Sequence, residues 1–181
     1  MPNLLIITGQ EGTGKSTLCR ILLKHTVNAA SFGAEDVGQT NPWEMNAEFM
    51  ELLWSNVICL IRNFLKAGFS TVIAASFIHT YENFRAFKRR FPDDMDIYIV
   101  HLCADRAVRD ARRISRSKPT HEAWREEMEK SHPEDMTLKD HLADYRYIRI
   151  DNTDLSAEET VIEIMRSIPE LYQVDGKIIG S

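Results

Sequence analysis

The sequence lacks a long apolar run, a basic leader segment and an excess of positive charge. No hydrophobic stretch approaches the roughly 20 residues that a membrane-spanning helix needs, and the N-terminus has no basic region followed by an apolar segment. We therefore expect no membrane span and no targeting segment. The 22 Lys and Arg residues against 27 Asp and Glu give a net charge of −5. This balance argues against a protein that coats duplex nucleic acid, although it leaves room for a local basic groove.

Cysteine is also scarce. The three cysteines, Cys19, Cys59 and Cys103, are far apart in the sequence, odd in number and set in apolar surroundings. This pattern favours reduced core residues over a disulfide framework and predicts a cytoplasmic protein. His101 and Cys103 share one face of a predicted strand, but the sequence has no neighbouring C-x-x-C or H-x-x-x-H pair. We therefore interpret both as ordinary strand residues rather than zinc ligands.

Internal repeats, low-complexity tracts and linker-like stretches are absent from the sequence too. A chain of 181 residues is long enough for one well-buried domain and short for two. We predict a single domain over residues 1–168. Residues 169–181 show no clear hydrophobic period, so we expect a tail that is extended or disordered.

Glycine is uncommon in this chain, but three of its eight glycines fall within one short segment. Residues 9–17 read GQEGTGKST, follow the apolar run Leu4–Ile7 and precede a segment with helical periodicity. They match the phosphate-binding P-loop pattern G-x-x-x-x-G-K-S. Glycines let the backbone curl around an anion and present N–H donors, and the following helix adds its positive N-terminal end. A glycine-rich turn without a ligand would explain neither the Lys-Ser pair nor the flanking strand and helix.

The expected ligand of this P-loop is the phosphate chain of ATP. The candidate nucleotide-binding residues in it are Gly9, Gly12, Thr13, Gly14, Lys15, Ser16 and Thr17. Lys15 is predicted to reach the β- and γ-phosphates, and the Ser16 hydroxyl is predicted to ligate Mg²⁺.

Strands and helices alternate along the rest of the chain. Short apolar runs predict strands at about 3–8, 28–33, 71–76, 96–102 and 147–150, and helical periodicity predicts helices at about 15–25, 42–68, 77–91, 105–116 and 156–168. Residues 33–38 are predicted as a loop, residues 117–144 as one or two exposed helices, and Gly68 as the stop of the long helix. Ser156 and Glu159 form a predicted capping box for the last helix. This alternation indicates an α/β fold, a three-layer sandwich whose parallel sheet is covered on both faces.

Polar side chains follow the predicted strands at the points where the strands end. They are residues 9–16, Glu35 and Asp36, Ser76 and His79, and residues 151–154. Ligands of open parallel sheets bind at the carboxyl ends of the strands. We therefore expect these groups to converge on one cleft.

Phosphoryl transfer needs more than a phosphate-binding loop. An acceptor hydroxyl needs a carboxylate that orients it and takes its proton, and basic side chains that spread the developing charge. Asp36 suits the first role. The helix after the fourth strand suits the second, with Arg106, Arg109, Arg112, Arg113 and Arg116. The alternatives are that Glu35 and Asp36 form a solvated pair or a helix cap, and that the arginines pair with Asp105 and Asp110 on a solvated face.

These segments resemble the small P-loop kinases, which include shikimate, gluconate, nucleoside and nucleoside monophosphate kinases and the kinase module of polynucleotide 5′-hydroxyl kinases. The resemblance spans nearly the whole chain. It rests on residues 9–17, a carboxylate after the second strand, the arginine-rich helix after the fourth strand and residues 150–153. It implies a five-stranded parallel sheet in the order 2-3-1-4-5 and a short helical lid at about residues 113–135.

The resemblance also implies roles for individual residues. Asp36 would touch the acceptor hydroxyl and contribute to the Mg²⁺ site, with Glu35 as its substitute. Arg112, Arg113 and Arg116 would contact nucleotide phosphate or adenine. The implied catalytic residues are Lys15, Asp36, Arg112 and Arg116, the implied cofactor-binding residues beyond the P-loop are Arg112, Asn152 and Thr153, and the implied metal ligands are Ser16 and Asp36.

Two departures from the family pattern concern the metal and the acceptor. Ser76 ends the third strand where many relatives carry an acidic Walker B residue. Residues 33–38 lack the paired D-x-D of shikimate kinases. Residues 118–130, in turn, resemble the helix after the lid in polynucleotide-type kinases.

The sequence therefore predicts an ATP- and Mg²⁺-dependent phosphotransferase that moves the γ-phosphoryl to a hydroxyl or phosphate of a small metabolite or nucleoside-like acceptor. One alternative is a nucleotide-binding sensor or regulator without efficient transfer, which Ser76 makes conceivable. Another is a polynucleotide 5′-hydroxyl kinase, whose partner would be a nucleic-acid end rather than a small molecule. Neither the acceptor nor the oligomeric state follows from the sequence.

Overall fold

The computed structural model describes residues 1–42, 44, 46–91, 94–115, 121–131, 133–174 and 177–178. The strands are β1 Asn3–Gly9, β2 Ala29–Gly33, β3 Thr71–Ala75, β4 Asp96–Cys103, β5 Arg146–Asp151, β6 Gln173–Val174 and β7 Lys177–Ile178. The helices are α1 Lys15–His25, α2 Ala34–Val37, α3 Ala47–Lys66, α4 Tyr81–Arg90, α5 Arg106–Ile114, α6 Glu122–Ser131, α7 Ala157–Ser167 and α8 Pro169–Tyr172, with a 3₁₀ turn at Thr137–Asp140.

Strands β1 to β5 form one parallel sheet in the order β2-β3-β1-β4-β5. Leu5 of β1 pairs with Ile73 of β3 and Tyr98 of β4, so β1 is the central strand. This architecture confirms the predicted α/β fold and its strand order. A central strand with helices on both faces can bury every side chain, which explains the continuous apolar run Leu4–Ile7.

Two hydrophobic cores lie on opposite faces of the sheet. Leu4 and Ile6 point to the core beneath α3 and α4, whereas Leu5 and Ile7 point to the core beneath α1 and α7. All four side chains are fully buried. Because all five strands are parallel, their carboxyl ends lie together at one edge of the sheet, where the polar loops lie.

Helix α3 begins later than the sequence predicts and ends where it predicts. The Asn46 side chain accepts a 2.8 Å hydrogen bond from the Phe49 N–H, so the helix starts after Asn46 rather than at Pro42. At the other end Gly68 adopts a φ of 94°, and its N–H donates to the Leu65 carbonyl at 3.0 Å. This left-handed residue closes the helix, as predicted.

Two segments differ from their sequence-based predictions. Residues 33–38, predicted as a loop, contain the four-residue helix α2 directly after β2. The predicted tail begins with α8, which places Tyr172 at 0% exposure in the core beneath α1 and α7. Residues 173–174 and 177–178 form a short antiparallel pair. A single buried aromatic side chain can anchor such a segment without giving a periodic signal in the sequence.

The three cysteines are free thiols. Cys19 and Cys103 are buried as predicted, but Cys59 lies exposed on α3, so its prediction as a core residue is wrong. The buried stripe of α3 runs through Val57 and Ile61 instead. Burial raises the pKa of the Cys19 thiol to about 12, against the smaller opposing effect of the neighbouring lysine charge. This thiol is therefore protonated at neutral pH.

The longest of the described helices is α3, with 20 residues. Neither it nor any other helix in the described part of the chain is long and apolar enough to cross a membrane.

Candidate functional site

The loop between β1 and α1 leaves the N-terminal end of α1 open. Gly14 precedes the helix with a left-handed φ of 97°, a conformation that residues with a side chain rarely adopt. Among the described residues, no side chain caps this helix end and no acidic residue lies in its first turn. Ser16 and Thr17 are exposed in that turn. The first N–H groups of α1 and the positive end of its dipole are therefore available to an anion.

Lys15 lies across this P-loop. Its Nζ donates hydrogen bonds to the carbonyl oxygens of Gly9 at 2.8 Å and Gln10 at 3.0 Å. The residue is only 9% exposed, so its ammonium group is held within the loop rather than in solvent. Thr13 closes the turn from the other side, since its hydroxyl donates to the Gln10 carbonyl at 2.8 Å. The loop is therefore already curled, with its positive charge inside.

Helix α5 packs directly against the crest of the P-loop at Gly12. A Cβ added to Gly12 would lie 2.7 Å from the Arg109 carbonyl oxygen and 2.9 Å from the Arg109 Cβ. Glycine is therefore required at this position by the packing of α5 as well as by the turn itself, whose φ is 88°.

The carboxylates predicted after β2 lie on α2, beside the end of β3. Gly33 pairs with Ala75 in the sheet, which brings Ser76 next to α2. The Ser76 hydroxyl donates to Glu35 Oε1 at 3.1 Å, and Ser76 has a left-handed φ of 67°. Glu35 thus supplies a carboxylate at the place where the resemblance expects an acid from β3. Strained backbone of this kind clusters at functional sites.

Asp36 points to a different neighbour from Glu35. It is exposed, and its carboxylate lies over Gly33, where an added Cβ would be 3.1 Å from Asp36 Oδ2. Within the described part of the chain, no group of three or more His, Cys, Asp and Glu side chains could hold a metal ion by itself. The roles of Asp36 as base and metal ligand stay predictions.

Arg112 and Asn152 join the loop after β5 to the P-loop. The Arg112 guanidinium donates to Asn152 Oδ1 at 3.1 Å and to the Asn152 carbonyl oxygen at 2.8 Å, and burial lowers the pKa of Arg112. The Asn152 side-chain amide in turn donates to the Thr13 carbonyl oxygen at 2.9 Å. The structure thus brings these three predicted cofactor-binding residues together. Arg116, the other predicted catalytic arginine, lies outside the described residues.

Thr153 connects the end of β5 to the start of α5. The Asp105 N–H donates to Thr153 Oγ1 at 2.9 Å, and the Thr153 hydroxyl donates to Asp151 Oδ1 at 2.7 Å. Hydrogen bonds from Thr153 lower the pKa of Asp151. Thr153 therefore fixes the loop that the resemblance places beside adenine, and its contact with adenine stays a prediction.

Arg109 and Arg113 are buried, at 4% and 0% exposure, and face carboxylates. Both donate to Glu129 of α6, and hydrogen bonds from Arg109 lower the pKa of Glu129. Arg113 also contacts Asp110 at 2.5 Å and Glu11 at 3.4 Å. Arg113 therefore pairs with Asp110, as in the alternative that pairs the arginines with Asp105 and Asp110, whereas Arg109 pairs with Glu129. Both arginines are buried rather than on a solvated face.

The sequence does not single out Glu11 or Glu129 as site residues. One signal could have found Glu129: Glu126 and Glu129 are three residues apart on α6, as their partners Arg106 and Arg109 are on α5. Side chains at that spacing share one face of a helix. The complementary charges therefore predict two facing helices.

A second polar cluster lies at the same edge of the sheet, on the side of α3 and α4. The Thr8 hydroxyl is 3.5 Å from His79 Nδ1, and the Tyr147 hydroxyl is 2.9 Å from His101 Nδ1. Glu134 lies 3.6 Å from His101 Nε2. Burial lowers the pKa of His101 despite the opposing effect of this carboxylate. His101, predicted as an ordinary strand residue, is therefore part of a hydrogen-bonded group.

No protein-family model and no curated protein sequence matches this chain. Solved structures do match. A gluconokinase from Sinorhizobium meliloti 1021 has a TM-score of 0.70 and 11% identity, over 94% of this chain and 93% of that one. A sugar kinase from Janibacter sp. HTCC2649 has a TM-score of 0.64 and 14% identity, over 93% and 95% of the two chains. This chain has a P-loop kinase-like fold.

The tunicamycin resistance protein of Deinococcus radiodurans matches as well, with a TM-score of 0.61 and 15% identity over 93% of this chain and 96% of that one. At identities this low, the structural similarity shows the P-loop kinase-like fold alone. The chemistry of the site therefore has to be argued from the residues of this chain.

Proposed function

We propose that this chain is an ATP- and Mg²⁺-dependent phosphotransferase that moves the γ-phosphoryl to a hydroxyl or phosphate of a small metabolite or nucleoside-like acceptor. The observation that carries the proposal is the position of Lys15, whose ammonium group lies within the P-loop at the open end of α1. A phosphate oxygen is charged and binds an ammonium group more strongly than the carbonyl oxygens of Gly9 and Gln10 do. Lys15, the loop amides and the helix end thus form a site suited to a polyphosphate.

The transfer gives a role to each group in the cleft. Asp36, with Glu35 as the alternative, orients the acceptor hydroxyl and takes its proton as the oxygen attacks the γ-phosphorus. The new O–P bond forms while the bond from the γ-phosphorus to the bridging oxygen breaks, and that electron pair leaves with ADP. Lys15 and the loop amides spread the negative charge of the transferred group. Arg112 and Arg116 contact the nucleotide and help to exclude water.

The residues present fit a Mg²⁺ site that relies mainly on the nucleotide. The Ser16 hydroxyl is exposed in the first turn of α1, and Glu35 and Asp36 are exposed on α2, directly after β2. Phosphate oxygens and water would complete the ligand set around Ser16 and Asp36. When bound, Mg²⁺ supplies positive charge that neutralises the β- and γ-phosphates.

The test is an assay of the purified protein against a panel of acceptors. Gluconate and other sugars come first because two structural neighbours are a gluconokinase and a sugar kinase. Nucleosides and 5′-hydroxyl oligonucleotides follow, and mass spectrometry detects an added phosphoryl group. Thermal stabilisation by ATP and Mg²⁺ together with one phosphorylated acceptor would support the proposal. The absence of any stabilisation by nucleotide would overturn the assignment of the P-loop.

A nucleotide-binding sensor is the second candidate function. It is favoured by the engagement of Arg109 and Arg113 with Glu129, because cations paired with carboxylates are less available to a transferred phosphoryl group. In the acceptor assay, stabilisation by nucleotide with no product from any acceptor would favour the sensor.

The polynucleotide kinase alternative predicts salt-sensitive binding of short single strands to residues 106–125. In that segment Arg106 pairs with Glu126, and Arg125 lies 3.7 Å from Asp110. These acids offset much of the positive charge that a nucleic-acid strand would need. Fluorescence anisotropy of a labelled oligonucleotide at low and high salt separates this alternative from the others.

A further inference from the structure

Helices α5 and α6 are joined by a buried ionic network. Arg109 and Arg113 lie one turn apart on α5 and are 4% and 0% exposed. Arg109 binds Glu129 of α6 through two hydrogen bonds, from Nη1 to Oε1 at 2.5 Å and from Nη2 to Oε2 at 3.0 Å. Arg113 Nη2 donates to the same Oε1 at 3.2 Å. One carboxylate of α6 therefore holds two buried guanidinium groups of α5.

The same two arginines reach the crest of the P-loop. Arg113 Nη1 lies 3.4 Å from Glu11 Oε2, although the two residues are 102 positions apart in the sequence. Arg109 Nη1 donates to the Glu11 backbone carbonyl at 3.5 Å. Gly12, the next residue, packs against the backbone of Arg109. The P-loop therefore packs against the face of α5 that carries Arg109 and Arg113, the two arginines that pair with Glu129 of α6.

Burial makes this arrangement sensitive to the loss of a partner. A buried guanidinium group that loses a carboxylate keeps its desolvation cost, so breaking one side of a buried pair is strongly unfavourable. Asp110 also accepts a hydrogen bond from Arg113, but among the described residues Arg113 Nε has no hydrogen-bond partner. Neutralising Glu129 is therefore expected to displace Arg113 and, with it, the contact to Glu11.

We propose that Arg113 is a positioning residue that couples the docking of α6 to the shape of the P-loop, through Glu129 on one side and Glu11 on the other. This inference rests on the proposed nucleotide-binding function, because it says what sets the affinity of that site. Docked α6 keeps Arg113 against Glu11, and the loop keeps the curvature that aims its amides at phosphate. If Glu129 acted only by electrostatic repulsion between its carboxylate and the phosphates of ATP, it would weaken ATP binding. Coupling predicts the opposite sign, a loss of affinity when Glu129 is neutralised.

Helix α6 offers a matched control for this experiment. Glu126 lies three residues before Glu129 and pairs with Arg106, but this pair is 48% and 46% exposed. Glu129→Gln and Glu126→Gln are the same substitution on the same helix and change the net charge equally. Two quantities are compared: the rate of hydrogen–deuterium exchange of residues 9–17 without nucleotide, and the affinity for a non-hydrolysable ATP analogue with Mg²⁺ by calorimetry.

Glu129→Gln is expected to speed exchange in residues 9–17 and to weaken analogue binding by about fivefold or more, the lower end of coupling between distinct sites. Glu126→Gln is expected to change both by less than about twofold, because an exposed ion pair contributes little. Wild-type exchange of residues 9–17 in Glu129→Gln would overturn the proposal. Tighter binding of the analogue by that variant would overturn it too, since the carboxylate would then act by repulsion.

Glu11→Gln tests the other end of the network and serves if Glu129→Gln fails to fold. It removes the carboxylate of the P-loop and leaves the contacts between Glu129 and α5 in place. Because coupling is reciprocal, the analogue should slow exchange of residues 122–131 in the wild type and slow it less in Glu11→Gln. Equal slowing in both proteins would contradict the coupling. If the wild type binds no analogue, the proposed function fails, whereas exchange of residues 9–17 without nucleotide still tests the network.

Discussion

The side-chain amide of Asn152 donates a 2.9 Å hydrogen bond to the carbonyl oxygen of Thr13, across 139 residues of sequence. Asn152 is 3% exposed and also accepts hydrogen bonds from Arg112, while its backbone N–H donates to the Cys103 carbonyl at 2.9 Å. One buried residue therefore connects the P-loop, the end of β4 and α5. The shape of the P-loop depends on a residue far from its motif.

Asn152→Ala is expected to lower the free energy of unfolding by about 1–3 kcal/mol, because the buried carbonyl of Thr13 loses its donor and Arg112 loses one of its acceptors, Asn152 Oδ1. Urea denaturation measures this change. Asn63→Ala on the exposed side of α3 is the control, and it should stay within about 0.5 kcal/mol of the wild type. Equal losses of unfolding free energy in the two variants would show that the Asn152 side chain does not stabilise the P-loop.

Lys15→Met removes the ammonium group from the P-loop and keeps an apolar stem of similar length. Turnover should fall by about 100-fold or more, because a group that stabilises the transferred phosphoryl is lost. The thermal midpoint should stay close to that of the wild type. Lys24→Met, on the exposed last turn of the same helix, is the control and should keep full turnover. Wild-type rates in Lys15→Met would remove the basis of the proposed function.

Asp36→Asn should lower kcat by about 100-fold or more while changing the affinity for ATP little, as expected for loss of a general base. Steady-state kinetics with the acceptor found in the panel measures both quantities. Glu35→Gln is the matched comparison on the same short helix. A larger loss of kcat in Glu35→Gln would identify Glu35 as the base, and Ser76→Ala should then lower kcat in the wild type but not in Glu35→Gln.

Stability is expected to fall as the pH drops below about 6.5, partly because of His101, whose pKa is lowered by burial from its ordinary value of 6.5. The unfolded chain takes up a proton at this imidazole before the folded protein does, so the unfolded state binds more protons and gains free energy relative to the folded state. His101→Gln should lose less stability between about pH 7.5 and about pH 5.5, a window above the usual range of carboxylates.

Urea denaturation at the two pH values measures this difference. An unchanged pH dependence in His101→Gln would mean that another group is responsible.

Much of the fold was predictable because its signals are local. Gly68 ends α3, and the capping box of Ser156 and Glu159 begins α7, as their sequence patterns predict. The prediction for the start of α3 was wrong, since helical periodicity continues back to Pro42 although Asn46 caps the helix. Periodicity shows that a helix exists, whereas its first residue depends on one hydrogen bond.

The candidate site was predictable only in part. The motif of residues 9–17 depends on neighbouring residues, and so it could be recognised. The position of the Glu35 carboxylate beside the end of β3 could not be predicted. Glu35 contacts Ser76, 41 residues away in the sequence, only because β2 pairs with β3. The sequence shows only that Ser76 is not an acid.

By itself, the sequence determined the five strands of the main sheet, the longer helices, their order and the glycine motif of residues 9–17, because hydrophobic period, glycine spacing and helix caps act over a few residues. Only the tertiary structure decided which charged groups meet. In the folded structure four arginines of α5 contact side chains that are distant in the sequence: Arg106 contacts Glu126, Arg109 and Arg113 contact Glu129, and Arg112 contacts Asn152. The neighbouring residues in the sequence do not determine whether a guanidinium group faces solvent, a phosphate or a carboxylate. The choice therefore depends on which acids the packing of distant helices brings within reach.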